Sequence, residues 1–199
     1  MNREKIIKKI MNYVMGRLEK ELPRNLYYHV PAHTMDVYAN VQKIGKQEDV
    51  SPEDIDLLRV AALFHDLGFI EQYDKNEPIG ARMAEEKLPE FGFSADEIQK
   101  IKQIIMATQM PHNPQSLLDE IIADADMDNL GRDDFYIQTE LLRLELKENG
   151  IVISLRQWYG ENLPKLFSMH SYFTRTAKTL RDPVKAKHLS EMKDLTGMK

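Results

Sequence analysis

A histidine and an aspartate, His65 and Asp66, stand side by side at the end of the apolar run VAALFHDLGF. Burying such groups without partners costs kilocalories. Both residues can bind a metal, and two more residues of ligand type occur where helices start or stop. His33 lies in HTMDV and Asp126 in DADMDNLG. Neutral imidazole combined with carboxylate suits Zn, Mn, Fe, Co or Ni. Successive residues of a helix point about 100° apart, at ~3.6 residues per turn, so a doublet can grip one ion only if the ion sits off the helix end. Shared with His33 and Asp126, that ion would tie three helices together and satisfy the doublet. The chain has no cysteine, which excludes thiolate ligands and a disulfide framework.

The elements that must carry these residues read as helices almost throughout. Ile6, Ile7, Ile10, Met11, Val14, Met15 and Leu18 form one helical stripe, ended by Pro23. LPRNLYYHVPA follows as a loop, and a second helix runs from Pro31 or Ala32 to Gly45. Ser51-Pro52-Glu53-Asp54 is a helix start, with a capping serine, a first-turn proline and acids at the positive end of the dipole. That helix runs through Phe64, with Gly68 as its stop signal. Further helices are expected over 78–88, from the Ser94–Glu97 capping box through Ile105, over 115–127, and from Asp134 through Leu146. The tail reads as short helices over 163–180 and 183–195. No alternating run is long enough for a sheet. The expected fold is all-α, one multi-helix bundle over residues 1–199, with the first and last helices packed on as additions.

Composition narrows the function. The 199 residues are 42% hydrophobic, enough for a core. A net charge of −5, spread along the chain, argues against a nucleic-acid polymer as partner. The first helix is interrupted by charge, so it reads neither as a signal peptide nor as a membrane span. A soluble cytoplasmic protein is expected.

A histidine, then a His-Asp doublet about thirty residues later, then a distant aspartate resembles the HD superfamily of metal-dependent phosphohydrolases. YYHVPAHTMDV, AALFHDLGF, IGARMAEEKLP and DADMDNLGRDDF all look like the small single-domain bacterial members. The resemblance covers about residues 27–146 and implies an HD-type helical bundle. It matches the family's metal ligands to His33, His65, Asp66 and Asp126, the aspartate that follows Ala125. Asp124 and Asp128 then read as supporting or capping groups. Members with two or three metals carry extra histidines after the doublet. Here that stretch reads YDKNEPIG, so one divalent ion is expected (Mn, Co, Fe, Ni, Mg or Zn). A second ion would have to use Glu71, Asp74 or Glu77.

The implied reaction is hydrolysis of a phosphoester or phosphoanhydride of a nucleotide or another small phosphorylated molecule, by water activated on the metal. Asp66 and His65 are the expected catalytic residues, with Asp66 both binding the ion and aligning water. Phosphate also needs cations. His29, placed outside the second helix by Pro31, Arg24 in the same loop and Arg132 after the last metal aspartate are the expected substrate-binding residues. His112 reads as a solvated turn histidine, His170 and His188 as surface or core-edge residues, and Trp158 with Tyr159 as tail packing. The alternative is a non-catalytic module that binds metal or nucleotide, with the metal serving structure. Neither reading fixes the oligomeric state.

Overall fold

Ten α-helices, joined by short 3-10 turns and one wide π turn, account for the regular structure among residues 2–197, which this computed structural model describes; no strand occurs among them. The helices are α1 (Arg3–Glu21), α2 (Pro31–Gln47), α3 (Pro52–Phe64), α4 (Asn76–Lys87), α5 (Ala95–Met106), α6 (Leu117–Asp126), α7 (Phe135–Glu148), the single turn α8 (Leu155–Gln157), α9 (Leu163–Met169) and α10 (Arg175–Thr196).

Local chemistry sets many of the starts. Ser51 accepts the Asp54 N–H at 3.1 Å. Ser94 and Glu97 close a reciprocal capping box, and Ser116 accepts the Asp119 N–H. Each satisfies helix-end donors that have no partner within the helix. α3 is buried continuously from Leu57 to Phe64, because α1, α2, α4, α5 and α6 all pack on it. A helix apolar all round belongs at the centre. Its inward residues join Ile7, Ile10, Val41, Ile101 and Ile121 in the main core. A second, smaller core forms from Leu130, Phe135, Trp158, Leu163, Phe167 and Met192.

Three expectations need correction. α3 ends at Phe64, and His65, Asp66 and a 3-10 turn over Leu67–Ile70 follow. Gly68 has no left-handed backbone. A Cβ there would lie 2.0 Å from the Asn76 carbonyl oxygen, so the glycine permits close packing of α4 rather than capping α3. In the tail the break falls at 170–174, and α10 runs on through Pro183. The cause is tertiary. Buried Asp124 accepts the N–H groups of Phe173 and Thr174, both at 2.8 Å, and the Thr174 hydroxyl at 2.7 Å, while Thr174 caps α10. Finally, His170 and His188 are buried, not at the surface. His188 stacks on Phe135 at 4.5 Å, and Lys185 Nζ donates to His170 Nδ1 at 2.9 Å.

Candidate metal centre

The end of α3, the start of α2 and the end of α6 meet at one point. His33 comes from the first turn of α2, His65 and Asp66 follow the last residue of α3, and Asp126 ends α6. His33 Nε2 lies 3.0 Å from Asp126 Oδ1 and 3.3 Å from Asp66 Oδ2. His65 Nε2 lies 3.1 Å from Asp66 Oδ2, 3.6 Å from Asp126 Oδ1 and 3.4 Å from His33 Nε2. The cluster is nearly closed to solvent; the side chains of His65 and Asp66 are 0% and 10% exposed.

The surroundings fix each ligand. His65 Nδ1 donates to the Ala62 carbonyl at 2.8 Å, so its Nε2 points into the cluster. Asn76, at the start of α4, donates to Asp66 Oδ1 at 3.1 Å and to the His65 carbonyl at 3.3 Å. Gly80 lets α4 come this close; a Cβ there would lie 2.5 Å from the Phe64 carbonyl oxygen. The Tyr28 ring packs on His33 at 4.7 Å.

Charge reinforces the convergence. Burial opposes the charged form of His33, but its hydrogen bond to Asp126 and the neighbouring Asp66 carboxylate outweigh that and lift its pKa to about 9. His65 is raised well above its ordinary value, with burial overcome by the neighbouring Asp66. Asp66 and Asp126 are held well below the usual carboxylate range by the two imidazoles, again against burial. Two imidazole nitrogens face each other and two carboxylate oxygens. Asp66 Oδ2 is buried and has no hydrogen bond. A divalent cation fits this donor set, because it would satisfy that oxygen and accept both nitrogen lone pairs.

Two chambers flank the cluster, and Asp126 lines both. One, of about 470 Å³, is bordered by Tyr27, His33, Asp36, Arg132 and Gln138. The other, of about 240 Å³, is bordered on its polar side by His29, Asp66, Asn76, Glu77 and Asn129.

The expected substrate residues divide between these chambers. His29 lines the smaller one, stacked on Phe69 at 4.3 Å. Arg132 lines the larger one, bonded to Asp134 at 2.6 and 2.9 Å and to Asp36, and 3.6 Å from Asp128. Arg24 is exposed and borders neither chamber, so the structure does not bring it to the site. Of the loop acids, Glu71 pairs with Arg82 at the surface and Asp74 is exposed. Glu77 does face the cluster, with its pKa raised by burial and by Asp66 and Asp126. Asp124 and Asp128 are structural as expected; Asp128 takes Arg181 at 2.6 and 2.9 Å. His112 is not solvated. Its Nε2 is buried without a partner, and its ring faces His170 and Phe173.

Sequence reasoning missed Glu145. This α7 residue is fully buried and accepts the N–H groups of Tyr27, Tyr28 and His29 at 2.9, 2.9 and 3.1 Å. It also takes His29 Nδ1 at 2.5 Å and the Tyr73 hydroxyl at 3.3 Å. Nothing in RLELKE marks it, because its partners lie more than seventy residues away.

Residues 30–128 match the family model described as HD domain. The chain is an HD-domain protein. That span runs from the entrance of α2 to two residues past Asp126 and holds all four candidate ligands. Solved structures agree on the fold. Bacillus subtilis YpgQ in complex with ADP superposes with a TM-score of 0.71 at 19% identity, covering 99% of this chain and 96% of that one. The Lin1889 protein of Listeria innocua gives 0.69 at 18%, covering 98% and 96%. A predicted HD superfamily hydrolase from an uncultured Thermotogales bacterium gives 0.64 at 18%, covering 96% and 91%. No curated protein matches the sequence. No helix among the described residues is long and apolar enough to cross a membrane.

Proposed function

We propose that this HD domain is a metal-dependent phosphohydrolase acting on a nucleotide or another small phosphorylated molecule. The observation that carries the reading is the convergence of His33, His65 and Asp66, whose ligand atoms lie within 4.8 Å of one another around a buried Asp66 oxygen that has no hydrogen bond, with Asp126 against both imidazoles. These four residues would hold one divalent ion. When bound, such an ion polarises a phosphoryl oxygen and lowers the pKa of water toward neutrality.

The chain's own groups supply the rest. The Ala62 carbonyl keeps His65 Nε2 turned inward, and Asn76 keeps Asp66 in one orientation. Asp66 would hold the ion through Oδ2 and align the water bound beside it. His29 has Nδ1 engaged by Glu145, which leaves Nε2 for a phosphoryl oxygen or a leaving group. Arg132 borders the larger chamber with its guanidinium taken up by Asp36 and Asp134. YpgQ, of similar fold, has been crystallised with ADP, which favours a nucleotide among the small phosphate esters.

The test is a hydrolysis screen of metal-analysed protein, supplied in turn with Mn, Co, Mg, Ni and Zn. The substrates are nucleoside mono-, di- and triphosphates, cyclic nucleotides and simple phosphate esters. Turnover that disappears in Asp66→Ala is the expected result. Stoichiometric metal with no turnover on any ester would leave the catalytic reading without support and make the domain a binding module.

A further inference from the structure

The two chambers beside the metal ligands differ in chemistry, and the difference bears on what the substrate looks like. The smaller chamber has a wall of Met110, Met127, Leu130, Leu142, Leu163 and Leu166 facing Phe69. Leu142 comes from α7, and Leu163 and Leu166 from α9, both outside the residues matched by the family model. Its hydroxyls are already committed to the backbone: Thr108 donates to the Ile105 carbonyl at 2.9 Å and Thr139 to the Tyr136 carbonyl at 3.4 Å. No lysine or arginine lines it. The larger chamber has one guanidinium, Arg132, already shared between Asp36 and Asp134. Among the described residues lining the two chambers, then, no ammonium or guanidinium group stands uncommitted. Asp36, Asp66, Asp126 and Glu77 are all present. A chain of phosphates brings several negative charges, which need cationic partners. One phosphoryl group could be neutralised at the metal ligands alone.

We infer that the substrate carries a single phosphoryl group on an uncharged, mainly apolar ring, and that the Met110–Leu142–Leu166 chamber seats the ring. This rests on the phosphohydrolase reading and names its substrate class. The chamber is small for a ligand site, so it takes one ring system and not an extended chain. Two methionines and Phe69 in its lining suit an aromatic face. Asp66 and Asp126 border the same chamber, so a phosphoryl group bonded to the seated ring reaches the metal ligands.

The test uses the full chain with Mn, and compares kcat/KM for naphthyl phosphate, a nucleoside monophosphate, the triphosphate of the same nucleoside, and glycerol phosphate. The ring monophosphates are expected to exceed both glycerol phosphate and the triphosphate by about tenfold or more. Leu166→Ala, at a half-buried site that should fold, is expected to lower the ring monophosphates about tenfold more than glycerol phosphate. Met110→Lys, at an exposed position on the rim, is expected to shift preference toward the triphosphate. A wild-type preference for the triphosphate, or equal effects of Leu166→Ala on all four esters, overturns the inference. Binding of neutral naphthol is followed in parallel by NMR of the Thr139 and Leu142 methyl groups. If no ester is hydrolysed, the phosphohydrolase reading fails separately. Naphthol shifts at those methyls that weaken in Leu166→Ala then still support the ring seat, and their absence overturns it.

Discussion

Removing the Glu145 carboxylate should unfasten the segment that leads into the metal centre. One oxygen accepts three successive backbone N–H groups, and the other takes His29 and Tyr73. Hydrogen bonds to a charged acceptor are worth roughly 1.5–3 kcal/mol each, and a buried donor left unsatisfied costs roughly 1–3 kcal/mol. In Glu145→Ala only the Tyr28 N–H is stranded in a fully buried place, while those of Tyr27 and His29 are half-exposed and can find water. Taking about 2 kcal/mol for Tyr28 and about 1 kcal/mol for each of the others gives a loss of about 4 kcal/mol, near the top of the range for one substitution. Glu145→Gln keeps one acceptor oxygen for the backbone donors and should lose about half as much. Equilibrium urea unfolding followed by circular dichroism reads both values. Acid supplies a second check. His29 and the backbone donors hold the Glu145 carboxyl below its ordinary value, against the opposing effect of burial. Its contribution is therefore complete above the unfolded pKa of about 4.3, and is lost as pH falls through the lower folded value. The gap between wild type and Glu145→Gln should shrink in that window. A Glu145→Ala protein within about 1 kcal/mol of wild type at pH 7 would refute the assignment of these bonds as the segment's anchor.

Other perturbations follow from the same contacts. His65→Ala and Asp66→Ala should each abolish stoichiometric metal binding by elemental analysis, and retention in both would remove the proposed centre. Chelation should stop turnover while leaving the helical circular dichroism nearly unchanged, because apolar contacts among α1 to α6 hold the main core; global unfolding would make the ion a structural staple. Gly80→Ala places a Cβ against the Phe64 and His65 carbonyls, at 2.5 and 3.1 Å. It should cost about 1–3 kcal/mol and weaken metal affinity, and an unchanged melting temperature with unchanged affinity would contradict the close approach of α4. Burial and the adjacent Lys185 depress His170 from 6.5 to about 3. The neutral ring's contribution is full above pH 6.5 and is lost as pH falls toward the folded value, at up to about 1.4 kcal/mol per pH unit. Wild type should therefore lose stability between pH 6.5 and 4 faster than His170→Gln, and parallel curves would show that His170 is not buried neutral.

What could be read from the sequence followed a physical divide. The Ser94–Glu97 box and the Ser51 cap are contacts three residues apart, so their chemistry is visible in a window of four letters. The clustering of His33, His65 and Asp66 was legible for a different reason. His65 and Asp66 are too polar for the run they end, and that local conflict pointed to a ligand before any packing was known. The misreadings fall where a distant group overrules the local pattern. A proline at 183 normally argues for a helix break. Asp124 instead sets the start of α10 at Thr174, because it draws two N–H groups and a hydroxyl across about fifty residues of sequence. Gly68 reads as a stop signal until the Asn76 carbonyl is seen to occupy the place of a Cβ. Glu145 resembles any solvated glutamate on a helix until three amide groups of the Tyr27–His29 segment converge on it. Both Asp124 and Glu145 connect the doublet's neighbourhood to the helices beyond residue 128. Those late helices therefore do more than cover the bundle. α7 supplies the carboxylate that fixes the His29 ring, and α9 supplies the apolar wall beside Asp66. The four candidate ligands lie within the stretch that carries the family pattern, whereas α7 and α9, which border the chamber beside them, lie outside it.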